Sequence, residues 1–287
     1  MYVLLIILVN YFNFTKFKGN NINNNSDKEM SSSSRHEHSK KQKIKINEFR
    51  IEDIPISATF IVIARPQSGK TAFIENLAYY HKHKYPVCRI WLGTGMESLK
   101  NRRLFEVFPP LFISSSYTDQ EHEKQIQRQK TCLIENTPVP FSFTVMDDCA
   151  DDKKILKTKA FRGTYKLGTQ HWGQLFIFCS QMALDIDTDA RKCASYIVLG
   201  EENDEVERQK IYKHYGGLAG TYSNFCDLMN QLTGDHHFLI FKKIDVSKKM
   251  EENIFFYQTK LLPPWQFGCK EIWKWNDERL NKSYVEK

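Results

Sequence analysis

One short segment constrains this chain more than any other. An apolar, strand-like run at 59–63 stops abruptly at Ala64-Arg65-Pro66-Gln67-Ser68-Gly69-Lys70-Thr71, and a helix-compatible run at 71–81 follows without a break. This is the pattern G-x-x-x-x-G-K-[ST], with Ala64 at the position of the first glycine. Each part has a physical task. Successive backbone N–H groups at the start of a helix make a cradle for an anion, and Gly69 lets that backbone come close to a phosphate. Lys70 is placed to reach β- and γ-phosphates, and Thr71 offers a hydroxyl to Mg²⁺. Ala64 is a conservative departure, because a small side chain fits wherever the backbone angles allow it. The strand before and the helix after are the context that gives such a match its meaning.

Two further strand ends complement the loop. Phe143-Thr144-Val145-Met146 runs directly into Asp147 and Asp148. An apolar strand ending in two acids suits nucleotide hydrolysis: the first, Asp147, holds Mg²⁺, and the second, Asp148, acts as base toward the attacking water. Leu175-Phe176-Ile177-Phe178-Cys179-Ser180 ends in Gln181, whose amide could sense a γ-phosphate or orient that water. Asp151 and Asp152 are read as part of the solvated turn that follows. Two strand orders fit this set. Either the loop strand neighbours the acid-bearing strand directly, or an extra strand lies between them; the Asp147-Asp148 pair and the terminal Gln181 favour the second. The sequence carries no N-K-x-D guanine-reading motif, so a GTPase switch is a poor fit.

Apolar runs at 59–63, 89–92, 111–113, 141–146, 175–178, 196–199, 238–241 and 254–257 alternate with helix-compatible stretches at 71–81, 119–133, 204–215 and 224–233. Near-continuous apolar runs of this length suit strands covered on both faces. Strand–helix alternation then points to a doubly wound α/β fold, with a mostly parallel sheet flanked by helices. We expect it to occupy 44–287, preceded by an apolar run and an Asn/Ser/Lys-rich disordered linker within 1–43. The apolar run at 2–9 is shorter than the ~20 residues of a spanning helix, and it lacks the flanks of a secretion signal. A membrane-touching segment, an extra strand or helix, and an extension upstream of an initiator at Met30 all stay open. His36, His38, His81 and His83 are read as solvated. The seven cysteines are scattered, without a C-x-x-C pair, which argues for a reducing compartment and against a disulfide framework or zinc ribbon. A formal charge of +7 permits an acidic partner without selecting one.

Taken together, these residues resemble the genome-packaging ATPases of large double-stranded DNA viruses, virophages and Polinton-type elements in the FtsK–HerA superfamily. The resemblance spans about 49–275. It rests on the 61–71 loop, on Val145-Met146-Asp147-Asp148-Cys149, on the strand ending at Gln181, and on Tyr196-Ile197-Val198-Leu199 leading to Tyr212-Lys213-His214-Tyr215-Gly216. It departs at Ala64, and at Gln170, where relatives often carry an arginine. The resemblance implies an additional-strand (RecA-like) P-loop NTPase that uses ATP and Mg²⁺, works as a homo-oligomeric ring inside the host cell, and drives double-stranded DNA into a capsid alongside vertex components. A trans-acting arginine finger would then be Arg191, with Arg162 second. Lys153, Lys154, Lys157 and Lys159, or Lys242, Lys243, Lys248 and Lys249, would grip DNA phosphates. Another DNA-translocating or helicase-type ATPase, and a nucleotide-binding scaffold, are the competing readings. A small-molecule kinase would need an Arg-rich lid segment that the sequence lacks.

Overall fold

The computed structural model describes residues 46–95, 102–149, 153–183, 185–186 and 188–285. The apolar run 2–9, the linker 20–43, His36, His38, Asp151 and Asp152 lie outside the described residues.

The described residues carry one nine-stranded sheet. Its strands are β1 (Asn47–Glu48), β2 (Ala58–Ile63), β3 (Val87–Leu92), β4 (Ile113–Ser114), β5 (Ser142–Asp147), β6 (Gln174–Ser180), β7 (Tyr196–Leu199), β8 (His237–Lys242) and β9 (Ile254–Gln258). Their spatial order is β1-β9-β8-β7-β2-β6-β5-β3-β4. Only β8 runs against the rest, antiparallel to both β7 and β9. Every residue of β2, β5, β6 and β7 is buried, as apolar runs without alternation require. β6 pairs with β2 on one side and β5 on the other. An extra strand therefore separates the loop strand from the acid-bearing strand, and the chain has the additional-strand P-loop fold.

The helices are α1 (Lys70–His81), α2 (Arg102–Val107), α3 (Asp119–Ile134), α4 (Lys159–Gly163), α5 (Thr169–His171), α6 (Thr188–Cys193), α7 (Glu205–Tyr215), α8 (Tyr222–Leu232) and α9 (Lys270–Val285). Their starts are chemically marked. Thr118, Thr158, Asp204 and Thr221 each accept a backbone N–H of the turn they cap. α4 continues through a π-helical turn, Thr164–Gly168, into α5. The period of two along β2 divides the core: Phe60 and Val62 pack with Phe73 and Leu77 of α1, while Ile61 and Ile63 pack with Phe161, Tyr165 and Phe225 on the other face. Among the described residues, no helix is long and apolar enough to cross a membrane.

Three expectations need correction. The run at 111–113 is mostly a 3-10 turn, Pro110–Phe112, and contributes only the start of the two-residue β4. The helices α2, α4–α6 and α9 are not among the expected ones: the first four are too short to show a period, and α9 is too polar. His81 is not solvated: it is fully buried, and its Nε2 lies 2.7 Å from the Ile51 carbonyl. The helix carries it inward because α1 is covered on nearly every side.

Candidate nucleotide-binding site

β2, β6 and β5 end in register, Ile63 beside Ser180 and Cys179 beside Asp147. The residues that follow each strand, the 64–71 loop, Gln181 and Asp148, therefore gather at the carboxyl edge of the sheet, where open α/β sheets bind their ligands. The loop turns on positive φ at Gln67 (65°) and Gly69 (98°), and α1 begins at Lys70. Lys70 is 7% exposed; its Nζ donates to the Ala64 carbonyl at 2.8 Å and lies 3.6 Å from Asp148 Oδ1. On its other side, Asp148 Oδ2 accepts from Gln181 Nε2 at 3.0 Å. Lys70, Asp148 and Gln181 thus form one connected polar cluster, while Arg65, Pro66 and Gln67 stay exposed on the loop and Ser68 closes it by donating to the Arg65 carbonyl.

The paired acids are held in unlike states. Asp147 is buried at the last position of β5. Burial, and then the neighbouring Asp148 charge, push its carboxyl up to about 6, against the pull of Lys70. Its Oδ1 is buried without a hydrogen-bond partner. Asp148 sits in the left-handed region, φ 51°, a conformation that is unfavourable for a non-glycine residue. Its neighbours impose it. Asp148 N donates to the Cys179 carbonyl, Gly93 N donates to the Asp147 carbonyl, and a Cβ on Gly93 would fall 1.9 Å from the Asp148 carbonyl oxygen. Cys149 Sγ lies 3.5 Å from the Trp91 carbonyl and 3.4 Å from that of Asp147, so the residue after the acids anchors the same turn.

Whether these groups suit Mg²⁺ can be judged from the donor set. No group of three or more His, Cys, Asp or Glu side chains that could hold a metal by themselves exists among the described residues. A single buried carboxylate with an unpaired oxygen suits a hard cation that keeps most of its waters and shares phosphate oxygens. Thr71 is partly buried in the first turn of α1.

Two neighbours of the loop are not readable from the motif. A Cβ on Gly200, just past β7, would lie 2.5 Å from the Ala64 methyl. The methyl at the first loop position is accommodated because the facing residue has none. His236 is the second. A Cβ on Gly69 would lie 2.4 Å from His236 Nδ1, so the imidazole covers the glycine that starts the helix. Asp235 and His236 both have positive φ (44° and 61°), and Thr259 N holds the His236 carbonyl. The Gly-Asp-His-His turn was the available signal.

Other expected residues stand apart. Arg191 donates to Thr188 Oγ1 at 2.8 Å and lies over the Tyr215 ring at 5.7 Å. Its carbonyl accepts from Lys243 Nζ, and Lys243 N bonds the Ser195 carbonyl at the start of β7. Ser195 pairs with Thr59, near the opposite end of β2 from the loop, so Arg191 is not joined to the Lys70–Asp148 cluster of its own chain. Tyr215, in the aromatic end of α7, instead fixes the segment after Gln181 by donating to the Ala183 carbonyl at 2.8 Å. Gln170 and Arg162 are exposed. Of the two lysine groups, 242–249 is partly engaged, Lys243 with Arg191 and Lys249 with Glu252 at 3.2 Å. Lys153, Lys154, Lys157 and Lys159 are exposed.

No protein-family model matches the chain. The uncharacterized protein 075L of Invertebrate iridescent virus 6 is 29% identical over 227 residues, 78% of this chain and 86% of that protein. The uncharacterized protein 088R of Invertebrate iridescent virus 3 is 25% identical over 214 residues, 73% of this chain and 80% of that one. Among solved structures, the genome packaging NTPase B204 from Sulfolobus turreted icosahedral virus 2 in complex with AMP superimposes with a TM-score of 0.52 at 16% identity, covering 72% of this chain and all (100%) of that one. The same protein in complex with ATP-gammaS gives 0.51 at 15% identity, with 72% and 100% covered. The chain thus shares the P-loop NTPase fold of B204, and the relatives named above are proteins of iridescent viruses.

Proposed function

We propose that this chain is an ATP-hydrolysing motor that translocates double-stranded DNA into a viral capsid. The observation that carries the reading is the junction of Lys70, Asp148 and Gln181 at the carboxyl edge, with Asp147 buried beside them and β6 inserted between the loop strand and the acid strand. That arrangement supplies what phosphoryl transfer to water demands of a protein: positioning and charge. The loop N–H groups and Lys70 bind the β- and γ-phosphates. Thr71 and Asp147 would hold Mg²⁺, which when bound would supply charge neutralisation. Asp148 accepts the proton of the attacking water, and its bond to Gln181 links the base to a group that can sense the γ-phosphate. The Lys70 ammonium lies 3.6 Å from the Asp148 carboxylate and helps to fix its position.

Packaging, rather than hydrolysis alone, is supported by the fold shared with B204 and by relatives in large DNA viruses. In this reading the chain acts as a homo-oligomeric ring inside the host cell, with a capsid vertex as its docking partner. Arg191, anchored away from its own chain's acids, serves as the finger toward a neighbour's γ-phosphate, where a guanidinium stabilises transferring charge. DNA is held through phosphates, so base sequence matters little. The test is ATP turnover by the full chain with and without duplex DNA. Turnover should rise with duplex of any sequence and lose that stimulation steeply as salt increases. An assembled protein that hydrolyses ATP at a rate indifferent to duplex would overturn the motor reading.

A further inference from the structure

Away from the nucleotide edge, an open cleft of about 930 Å³ runs between α3 and the α4–α5 segment. Lys124 and Lys130 line it from α3; Lys157, Lys159, Arg162 and Lys166 line it from the other wall. All six are exposed, and Glu123 is the one acid in the lining. Among the described residues, Lys166 has an ion-pair partner, Asp189 at 3.8 Å, and Lys124, Lys157, Lys159 and Arg162 have none. The floor is apolar: Ile126, Ala160 and Trp172 pack into a small core of their own.

The walls are fixed to each other. His122, fully buried on α3, bonds Thr164 Oγ1 of the π-helical turn at 2.8 Å and the Tyr117 hydroxyl at 3.0 Å. Tyr117 in turn reaches Thr158 Oγ1, the cap of α4, at 3.1 Å. Gln129 Nε2 donates to the Trp172 carbonyl at 2.9 Å, and Gln125 Nε2 to Thr144 Oγ1 on β5 at 2.5 Å. Burial holds His122 well below the ordinary histidine range, at about 4, so the network is neutral near pH 7 and adds no charge of its own. π-helical turns within helices often mark functional sites.

We infer that this cleft is a binding surface for the phosphate backbone of duplex DNA. Unpaired cations on two rigidly joined walls match a polyanion, whose condensed counterions are released on binding. Lysine, arginine and glutamine, here Gln120 and Gln127 as well, are the side chains that contact phosphates without reading bases. A single-stranded partner would need exposed aromatic faces for its bases. The cleft has only Trp172, which is 7% exposed beneath Lys130, 5.1 Å from its ring. Lys157 and Lys159 also follow the catalytic acids closely in sequence, which puts one wall of the cleft downstream of the nucleotide site. The choice of duplex DNA as occupant rests on the motor reading.

The experiment uses the full chain and a labelled duplex of about 30 base pairs, followed by fluorescence anisotropy across salt concentrations. Lys124→Glu, Lys130→Glu and Lys159→Glu combined should weaken binding at least about tenfold and make the salt dependence shallower by about two contacts. Reversal of Lys248 and Lys249, the rival lysine group, should weaken binding less than the triple variant does; a larger loss there overturns the proposal. Unchanged duplex affinity in the triple variant overturns the proposal. So does a triple variant that keeps the duplex but loses polyglutamate, since the cleft would then serve an acidic protein. If the wild-type chain hydrolyses ATP yet binds no duplex, the cleft assignment falls and the nucleotide reading stands. If it binds duplex through the cleft but hydrolyses no ATP, the cleft stands and the motor reading falls.

Discussion

At the carboxyl edge of the sheet the chain places its charges with backbone, whereas in the cleft between α3 and α4 it places them with side-chain packing. The edge depends on strand ends in register, on positive φ at Gln67, Gly69 and Asp148, and on glycines where neighbours press close. Its charges face one another locally, one ammonium beside two carboxyl groups. The cleft depends on a buried histidine and Gln129, which tie its walls together, and on Gln125, which ties one wall to β5; its charges are left facing solvent. A site that must stabilise a transition state gains from preorganised, fixed dipoles and charges. A surface that slides along a polymer gains from excess charge held on a stiff frame, because each contact must also be released.

That contrast predicts separable failures. The largest effect should come from the buried histidine. His122 is neutral in the native state, with its pKa lowered from 6.5 to about 4 by burial, so the unfolded chain takes up the proton first as pH falls. The stability this neutral state contributes is complete above pH 6.5 and lost progressively down to about 4, in total roughly 3 kcal/mol at ~1.4 kcal/mol per unit. His122→Gln should remove that part of the acid sensitivity, seen as a flatter midpoint-versus-pH curve in thermal unfolding. Nucleotide affinity near pH 7 should stay within about twofold. An identical pH profile in the variant would show that His122 is not the titrating group, and lost nucleotide binding would show that the two regions are not separable.

Gly200→Ala tests the other side. Its new methyl would meet the Ala64 methyl at 2.5 Å, a clash between atoms fixed to backbone, and should destabilise by about 2 kcal/mol and weaken nucleotide binding. Adding Ala64→Gly should restore both, because the pair then carries one methyl again. Duplex affinity of Gly200→Ala should be unchanged. Failure of the second substitution to rescue the first would mean that Ala64 and Gly200 do not share one space.

The two regions were also unequally legible in the sequence. The edge could be read because the loop, the paired acids and Gln181 each follow an apolar strand, and a parallel sheet brings such ends to one side. The position of the additional strand followed from Gln181 and the double acid. What compensates Ala64 could not be read, since Gly200 reaches it only through the β2–β7 pairing. His236 was missed for a related reason: the Gly-Asp-His-His turn between α8 and β8 marks an unusual backbone, but not the loop it covers until the sheet is assembled. The lysines at 157 and 159 were visible as charges, but their partners on α3 were not, because α3 reads as an ordinary polar helix. The antiparallel direction of β8 was hidden as well, for an apolar run carries no direction.

The central claim, that this edge hydrolyses a nucleotide, is tested most directly by measuring ATP binding and turnover in the wild-type chain, in Asp148→Asn and in Lys70→Ala. The account predicts that Asp148→Asn binds ATP within a few-fold of wild type while its turnover falls at least about 100-fold, and that Lys70→Ala loses both. Turnover by Asp148→Asn at the wild-type rate would contradict it.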